Sequence, residues 1–566
     1  MSEYFGTARI TQIISHPMER VLMPRRLLTC LGVLALCAST IIVYHPAWHG
    51  GFIWDDDRYV TQNYLLIARD GLRRIWLSLD APSQYFPLAY TILRIERSLW
   101  GLNPAGYHWT NILLHLGNAL LVWWILARLK IPGAWLAAAV FALHPIQVES
   151  VAWISELKNV LMGFFFLLTL LVWTRYVDLT SQHRRIFYIG ALVFYALALF
   201  AKSTACTLPA ALLLILWLKE KPIGRRALLE IIPFVALALG IGSVAVWWEK
   251  YHQGTRMLVS LAPLERLLIA SRAVWFYLSK IFWPSDLTFI YPQWQIDPTT
   301  PSAYLWLIAG AGFAAIVYWA RGYFGRGVKV AALFFVTTLG PMLGFIMLYT
   351  FRYTFVADHY QYLACIGPIA LATGGLWQLG ARLKTRGFVF GVGAAILAAL
   401  SVLTWRQSSS YRDLETLWQT TIAKNPSCWI AYNNLGVIQF QKGYLEDAIQ
   451  KYEQSLRLHP DYPESHYNIG SALLQKGQID EAIAHCQKAL QLQPTDPDAH
   501  VVLGNALMAE RDVDGAIDEY ARALALRPDD SNAHYNLGVA FEQKGDAERA
   551  TREYNRAREL EGGREP

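Results

Sequence analysis

Up to about residue 406 the chain alternates apolar runs of roughly membrane-spanning length with short polar connections. The runs fall near 27–44, 110–127, 133–144, 159–174, 186–201, 204–218, 228–248, 303–320, 329–349, 360–379 and 387–404. Basic residues cluster between them: Arg25/Arg26, Arg128/Lys130, Arg175/Arg184/Arg185, Lys219/Lys221/Arg225/Arg226, Arg321/Arg326/Lys329 and Arg382/Lys384/Arg386. Cytoplasmic loops of membrane proteins carry an excess of Lys and Arg, so these clusters are expected on one side. They occupy alternate loops only if 264–283 does not cross. That segment carries Glu265, Arg266, Arg272 and Lys280 among its apolar residues, the pattern of an amphipathic helix lying at the outer interface. The pattern therefore predicts eleven spans with the N-terminus inside and the C-terminus outside. A twelve-span arrangement would turn the C-terminal part into the cytoplasm. Residues 1–26 read as a cytoplasmic tail. Arg25-Arg26 followed by Leu27 to Tyr44, with no small-residue cleavage signature, reads as an uncleaved signal anchor.

Beyond residue 428 the apolar pattern becomes periodic. Gly436, Gly470, Gly504 and Gly538 are each 34 residues apart, as are Pro460, Pro494 and Pro528. Ala448, Ala482, Ala516 and Ala550 keep the same register, and so do Tyr452, Cys486, Tyr520 and Tyr554. A period of 34 with Leu-Gly, a small Ala and a terminal Pro is the tetratricopeptide (TPR) pattern. Four repeats over 429–562 are expected to stack into an α-solenoid with a concave face, after a helical linker at 407–428 and before a short tail at 563–566.

Composition fits this division. Apolar residues make up 54% and charged residues 16%, with 22 Trp, which excludes an ordinary soluble enzyme and suits a polytopic protein with interfacial aromatics. The net charge of +7 comes mostly from the loop clusters, so it reads as topology and not as a nucleic-acid surface. The six Cys show neither metal nor redox spacing and read as structural thiols.

The span count also gathers the unusual polar residues on the outer side. Loops 45–108, 145–158, 249–302 and 350–359 hold Asp55 to Asp57, His108, His144, Glu149, Glu156, Lys158, Arg256, Arg352, Asp358 and His359, and Lys202 ends a span on that side. The inner loops are short and basic. No nucleotide pool exists outside the cytoplasm, so an enzyme there takes its activated group from a lipid carrier. No Gly-rich phosphate loop, metal cluster or Gly-x-Ser-x-Gly elbow occurs in the membrane half. Carboxylates with dispersed cations suit glycosyl transfer from a polyprenyl phosphate: an acid takes the acceptor hydroxyl proton and cations stabilise the departing phosphate. His108, Asn111 and His115 share one helix face, which points to hydrogen bonding within the bundle more than to a metal.

Several ordered motifs carry a resemblance. Gly51-Phe52-Ile53-Trp54-Asp55-Asp56 with Asn63, Phe86-Pro87-Leu88, and Tyr107-His108-Trp109-Thr110-Asn111-Ile112-Leu113-Leu114-His115 come first. His144-Pro145-Ile146-Gln147-Val148-Glu149-Ser150-Val151-Ala152, Trp283-Pro284-Ser285-Asp286-Leu287 and Ala357-Asp358-His359-Tyr360-Gln361-Tyr362-Leu363 follow, and the repeats close the series. In this order they resemble the transmembrane-and-TPR-containing (TMTC-like) O-mannosyltransferases of the GT-C superfamily, over most of residues 50–562. The resemblance implies an all-α fold, a GT-C-type membrane domain over 27–406 followed by the solenoid. It implies an inverting transferase that moves mannose or another hexose from a polyprenyl-phosphate carrier to a hydroxyl. Trp153-Ile154-Ser155-Glu156-Leu157-Lys158 departs from the Gly-Arg-Ala-acid run of eukaryotic members, and there are fewer repeats, which points to a bacterial relative.

Carried onto this chain, the resemblance makes Asp55 or Asp56 the catalytic base, with Asp55 favoured because it follows Trp54; Asp57 reads as a solvated turn acid or an orienter of Arg58. Arg352, His359 and Lys202 are expected at the donor phosphate. Lys202 stands where the family has a Lys-Glu pair, but Ser203 replaces the acid. Trp54, Tyr59, Glu149, His108 and Asp358 are expected to position acceptor or sugar, with Tyr85 a further stacking candidate, although Glu149 also fits a plain helix-start acid. Asn434, Asn468, Asn505 and Asn536 are expected to hold an acceptor peptide on the concave face. No cofactor is required, and acids near a phosphate donor permit a divalent cation without demanding one. The expected partners are the lipid-linked sugar, a protein acceptor and the bilayer, with no nucleic acid. The expected location is the cytoplasmic (inner) membrane, with site and repeats in the periplasm. Transfer to an envelope glycan or lipid is one rival; a non-enzymatic TPR scaffold is the other.

Overall fold

A computed structural model describes residues 25–78, 84–179, 183–252, 261–320, 325–345 and 349–562. The N-terminal tail through residue 24, Arg256, Arg321 and the tail 563–566 lie outside these residues. Helices and irregular connections make up the described chain, with no strand among the described residues. The fold is all-α, a membrane bundle followed by a TPR solenoid.

Among the described residues six helices are long and apolar enough to cross a membrane: Pro104–Arg128, Ile154–Asp178, Arg184–Ala201, Arg225–Trp248, Pro301–Trp319 and Gly387–Ser409. Ala134–Leu143 and Pro145–Ala152, bent by 55° at the break, make a seventh if they form one span. The protein is thus a multi-pass membrane protein. The remaining apolar runs are helical as well, but shorter or more polar: Thr29–Val43, Ser203–Leu218, Arg326–Leu339 and Ile366–Arg382. The breaks have local causes. His144-Pro145 interrupts one run, since proline cannot donate to the preceding turn.

Helix Pro263–Phe282 has the expected amphipathic character. It buries Leu268, Ile269, Ala273, Tyr277 and Ile281 along one face. Glu265 caps its start by accepting from the Ala262 N–H at 2.7 Å.

The solenoid runs from Trp429–Gln441 to Ala547–Gly562 as four antiparallel helix pairs. Each repeat glycine sits under a side chain of its partner helix. A Cβ would lie 2.5 Å from Tyr452 at Gly436, 2.5 Å from the Cys486 sulfur at Gly470, 2.5 Å from Tyr520 at Gly504 and 2.8 Å from Tyr554 at Gly538. Close approach therefore explains both the glycine and the residue sixteen positions on.

The linker helix Leu414–Lys424 fastens this array to the bundle. Trp418 packs edge-on against Trp54 (4.8 Å between centroids) and Phe289 (5.6 Å). Asn425 donates to the Ile290 carbonyl at 3.1 Å, and the Gly51 N–H donates to the Arg412 carbonyl at 2.8 Å.

Candidate active site

Trp54 has φ 47°, the left-handed region that a bulky residue occupies only under constraint. Its ring is held by Trp418, Phe289 and Tyr353. The turn points the next two acids in different directions. Asp56 is fully buried, and both its oxygens accept backbone N–H groups: Oδ2 from Ile53 and Oδ1 from Ser155, each at 2.8 Å. Burial pushes its carboxyl up to about 7 against the pull of these donors. Asp55 is half-exposed, within electrostatic reach of Lys158. Asp57 is exposed and accepts from the Thr61 hydroxyl at 2.9 Å.

Behind the turn lies a chain of alternating charges. Glu156, 1% exposed, is 3.0 Å from Lys158 through Oε1 and 3.1 Å from Lys202 through Oε2. Lys158 also lies over the ring of Tyr59 at 4.5 Å. Two buried lysines thus share one carboxylate, which leaves the cluster net cationic without Asp55. Sequence reasoning missed this hub. The family-like acid partner of Lys202, absent at Ser203, comes from Glu156, 46 residues away along the chain. The available signal was Lys202 without an acid in its own segment, together with Glu156 two residues before Lys158.

A second cluster is built by the bent pair and by residues 357–362. Glu149 Oε2 accepts the His359 N–H at 3.0 Å, and Oε1 lies 3.1 Å from His359 Nδ1. Asn159 Nδ2 donates to the His359 carbonyl and to the Ser150 hydroxyl, both at 2.8 Å. Asp358 accepts from Tyr291 at 3.0 Å; burial, reinforced by the charge on Glu149, holds its carboxyl well above the usual carboxylate range. Asn159, Lys202 and His359 then line one small cavity together with Thr204, Thr207 and Thr338. The helices behind it, Leu157–Asp178, Leu208–Leu218, Arg326–Leu339 and Ile366–Arg382, also wall an apolar cavity of about 390 Å³, lined for example by Leu170, Ile215, Phe334 and Ala370. Leu157–Asp178 and Arg326–Leu339 thus line both the polar pocket and the apolar one.

Other expected site residues stand apart from this cavity. Arg352 is exposed and acts instead on Glu464 of the repeats, whose carboxyl burial pushes up to about 7. Tyr85 packs against Trp248. His108 is buried behind Gly50, where a Cβ would come within 3.0 Å of its Nε2. Asn111 donates to the Trp153 carbonyl at 3.1 Å, and His115 Nδ1 pairs with the Tyr362 hydroxyl at 2.8 Å. Among the described residues no three His, Cys, Asp or Glu side chains converge as a metal site. In the repeats Asn468 donates to Asn433 and Asn536 to Asn505, both at 3.0 Å, while Asn434 bonds its own helix at the Ile430 carbonyl. Asn505 does not share the register of the other three, because Val502 occupies that position. Three of these side chains therefore ladder between or within repeats, and Asn505 accepts the ladder bond.

Comparison with known proteins agrees with this architecture. The family described as "TPR repeat" matches residues 436–477 and 504–545, and "Tetratricopeptide repeat" matches 463–496. The chain is 24% identical to the human protein O-mannosyl-transferase TMTC4, over 74% of this chain and 65% of that protein. It is 22% identical to the Caenorhabditis elegans protein O-mannosyl-transferase F38B6.6, over 76% of this chain and 63% of the relative. A mouse protein O-mannosyl-transferase, TMTC2, is 30% identical over 27% of this chain and 20% of its own length. The chain thus spans less than two thirds of the length of these relatives. Among solved structures, a crystal structure of MamA matches 26% of this chain and 87% of its own at 25% identity, with a TM-score of 0.24. The fold and site define a multi-pass membrane protein with a buried charge cluster and a TPR solenoid. By sequence the chain is a relative of the TMTC-type protein O-mannosyl-transferases.

Proposed function

We propose that the chain is an integral-membrane inverting glycosyltransferase. It moves a sugar, mannose or another hexose, from a polyprenyl-phosphate carrier to a hydroxyl of an extracytoplasmic protein, in the cytoplasmic membrane with site and repeats on the periplasmic side. The observation that carries this reading is the linked series Asp55, Lys158, Glu156 and Lys202, running from a half-exposed carboxylate to a cationic cavity. Asp55 is the base. It takes the proton of the acceptor hydroxyl as that oxygen bonds to the anomeric carbon, and the bond from that carbon to the phosphate oxygen breaks. Lys202 and His359 stabilise the departing phosphate, and the apolar cavity, which shares two helices with their pocket, suits the carrier chain. Asp56, with both oxygens engaged, fixes the turn that aims Asp55. The names of the relatives support the sugar and the protein acceptor, and the repeats are the natural acceptor-binding surface.

The test is Asp55→Asn beside Asp56→Asn, with purified protein, a polyprenyl-phosphate hexose and envelope protein acceptors. Transfer by Asp55→Asn should fall by about 10²–10⁴-fold in protein that remains folded. Asp56→Asn should chiefly lower the melting temperature, since one backbone N–H loses its acceptor. Undiminished transfer by a stable Asp55→Asn protein would refute the assignment.

A further inference from the structure

The flank of Pro263–Phe282 opposite its buried face is not packed against the bundle. It faces Pro301–Trp319, a helix whose apolar stretch has none of its residues buried in protein, so that in a bilayer its free surface is left to lipid. The two are joined by Trp275, whose Nε1 donates to the Trp306 carbonyl at 3.1 Å and whose ring meets Phe313 at 6.3 Å. Between them lies a groove of about 470 Å³, walled by Arg272, Trp275, Phe276, Phe282, Trp294 and Trp306.

Arg272 is the one cation on these walls. Its guanidinium lies over the Trp294 ring, 4.4 Å from the centroid. Among the described residues it has no carboxylate within ion-pair distance and no other polar partner. A half-buried guanidinium without an anion is electrostatically incomplete, and an apolar setting strengthens its pull on one. The three tryptophans mark the depth of the lipid headgroups, where an indole keeps one edge wet and one apolar. What reaches a groove bounded by a lipid-covered helix is a lipid, and what Arg272 selects is a negative headgroup.

We infer that this groove binds an anionic bilayer phospholipid, with its phosphate against Arg272 and an acyl chain along Phe282 and Trp306. The binding does not rest on the enzymatic reading. Its consequence does: the inner wall of the groove leads to the site. Phe276 meets Tyr291 at 4.9 Å, Tyr291 donates to Asp358, and Trp294 faces Phe355 at 6.4 Å. An occupied groove therefore braces the segment that carries His359.

The experiment is native mass spectrometry of the full chain in neutral detergent, with phosphatidylglycerol or phosphatidylcholine added at equal concentration. The wild type should retain phosphatidylglycerol preferentially. Arg272→Leu should reduce that retention about fivefold, and Arg272→Lys should keep most of it. Equal retention of both lipids by the wild type would overturn the inference, a comparison that needs no variant to fold. Unchanged preference in a folded Arg272→Leu protein would do the same, as would one-for-one displacement by polyprenyl phosphate, which would give the groove to the carrier. Transfer is not measured, so an inactive preparation bears on the proposed function alone.

Discussion

The two halves of the molecule are held together over different distances along the chain. In the solenoid the polar contacts are short-range: His500 pairs with Glu519 at a separation of 19 residues, and Asn536 with Asn505 at 31. In the membrane half Asp56 bonds a residue 99 positions away, Glu149 one 210 away, and His115 one 247 away. A repeat stabilises itself and its neighbour, so damage should stay local. The site is made by four distant segments that meet once, so damage to any of them should reach the others.

Glu156 tests the second half of that contrast most severely. Glu156→Gln removes the charge that Lys158 and Lys202 share while leaving its volume. Breaking a buried pair by neutralising one partner costs about 3–5 kcal/mol, because the remaining charge stays buried. Thermal melting in detergent should show a large loss, and hydrogen exchange should rise at both the 53–59 turn and residues 357–362. A loss confined to the helix that carries Glu156 would contradict the single-cluster picture.

Asp56 offers a pH test of the same network. Its folded pKa lies near 7, above the ordinary 3.8, so between these values the folded protein binds more protons than the unfolded chain. Its contribution to stability therefore falls as pH rises through that window and is level above it. The melting temperature of the wild type minus that of Asp56→Asn should be larger at about pH 5 than at about pH 8. A gap that is constant over that range would show that Asp56 does not titrate there.

The same contrast explains what could be read before folding. The 34-residue period is written at every glycine because each repeat meets the same steric demand, so the solenoid was legible from spacing. Composition and charge likewise made the helical bundle and the amphipathic character of 264–283 legible. Asp55, Lys202, Glu149 and His359 stood out in the sequence as candidates by residue type, but their grouping did not. Nothing in spacing says that Glu156 serves Lys202, or that Arg352 faces the repeats. The separate environments of Asp55 and Asp56 depend on a bond to Ser155 that only the tertiary fold makes.

Gly470 tests the first half of the contrast. Alanine there would bring Cβ to 2.5 Å from the Cys486 sulfur and 3.1 Å from the Ala482 carbonyl. Overpacking of this kind costs about 1–3 kcal/mol. Hydrogen exchange should rise in the second repeat and at its two interfaces, while the 53–59 turn keeps its protection. Adding Cys486→Ala should recover part of the loss, since it removes the nearer atom. A loss that spread to the turn would mean that the linker transmits strain between the halves.

The smallest effect is expected where the period itself lapses. Gly443, Gly477 and Gly545 end the first helix of their repeats with φ of 81°, 79° and 81°, and Arg511 holds the equivalent place at 74°. A side chain in that region meets its own backbone carbonyl at a cost of roughly 1 kcal/mol, which glycine avoids. Trp54 also sits at positive φ, but its ring contacts with Trp418, Phe289 and Tyr353 compensate. Arg511 is exposed and makes no ion pair among the described residues, so it has no such compensation. Arg511→Gly should therefore stabilise the third repeat by about 0.5–1 kcal/mol, after allowance for the greater freedom of glycine in the unfolded chain. Slower hydrogen exchange across 497–526 would bear this out. Faster exchange there would mean that the arginine side chain supports the turn it strains.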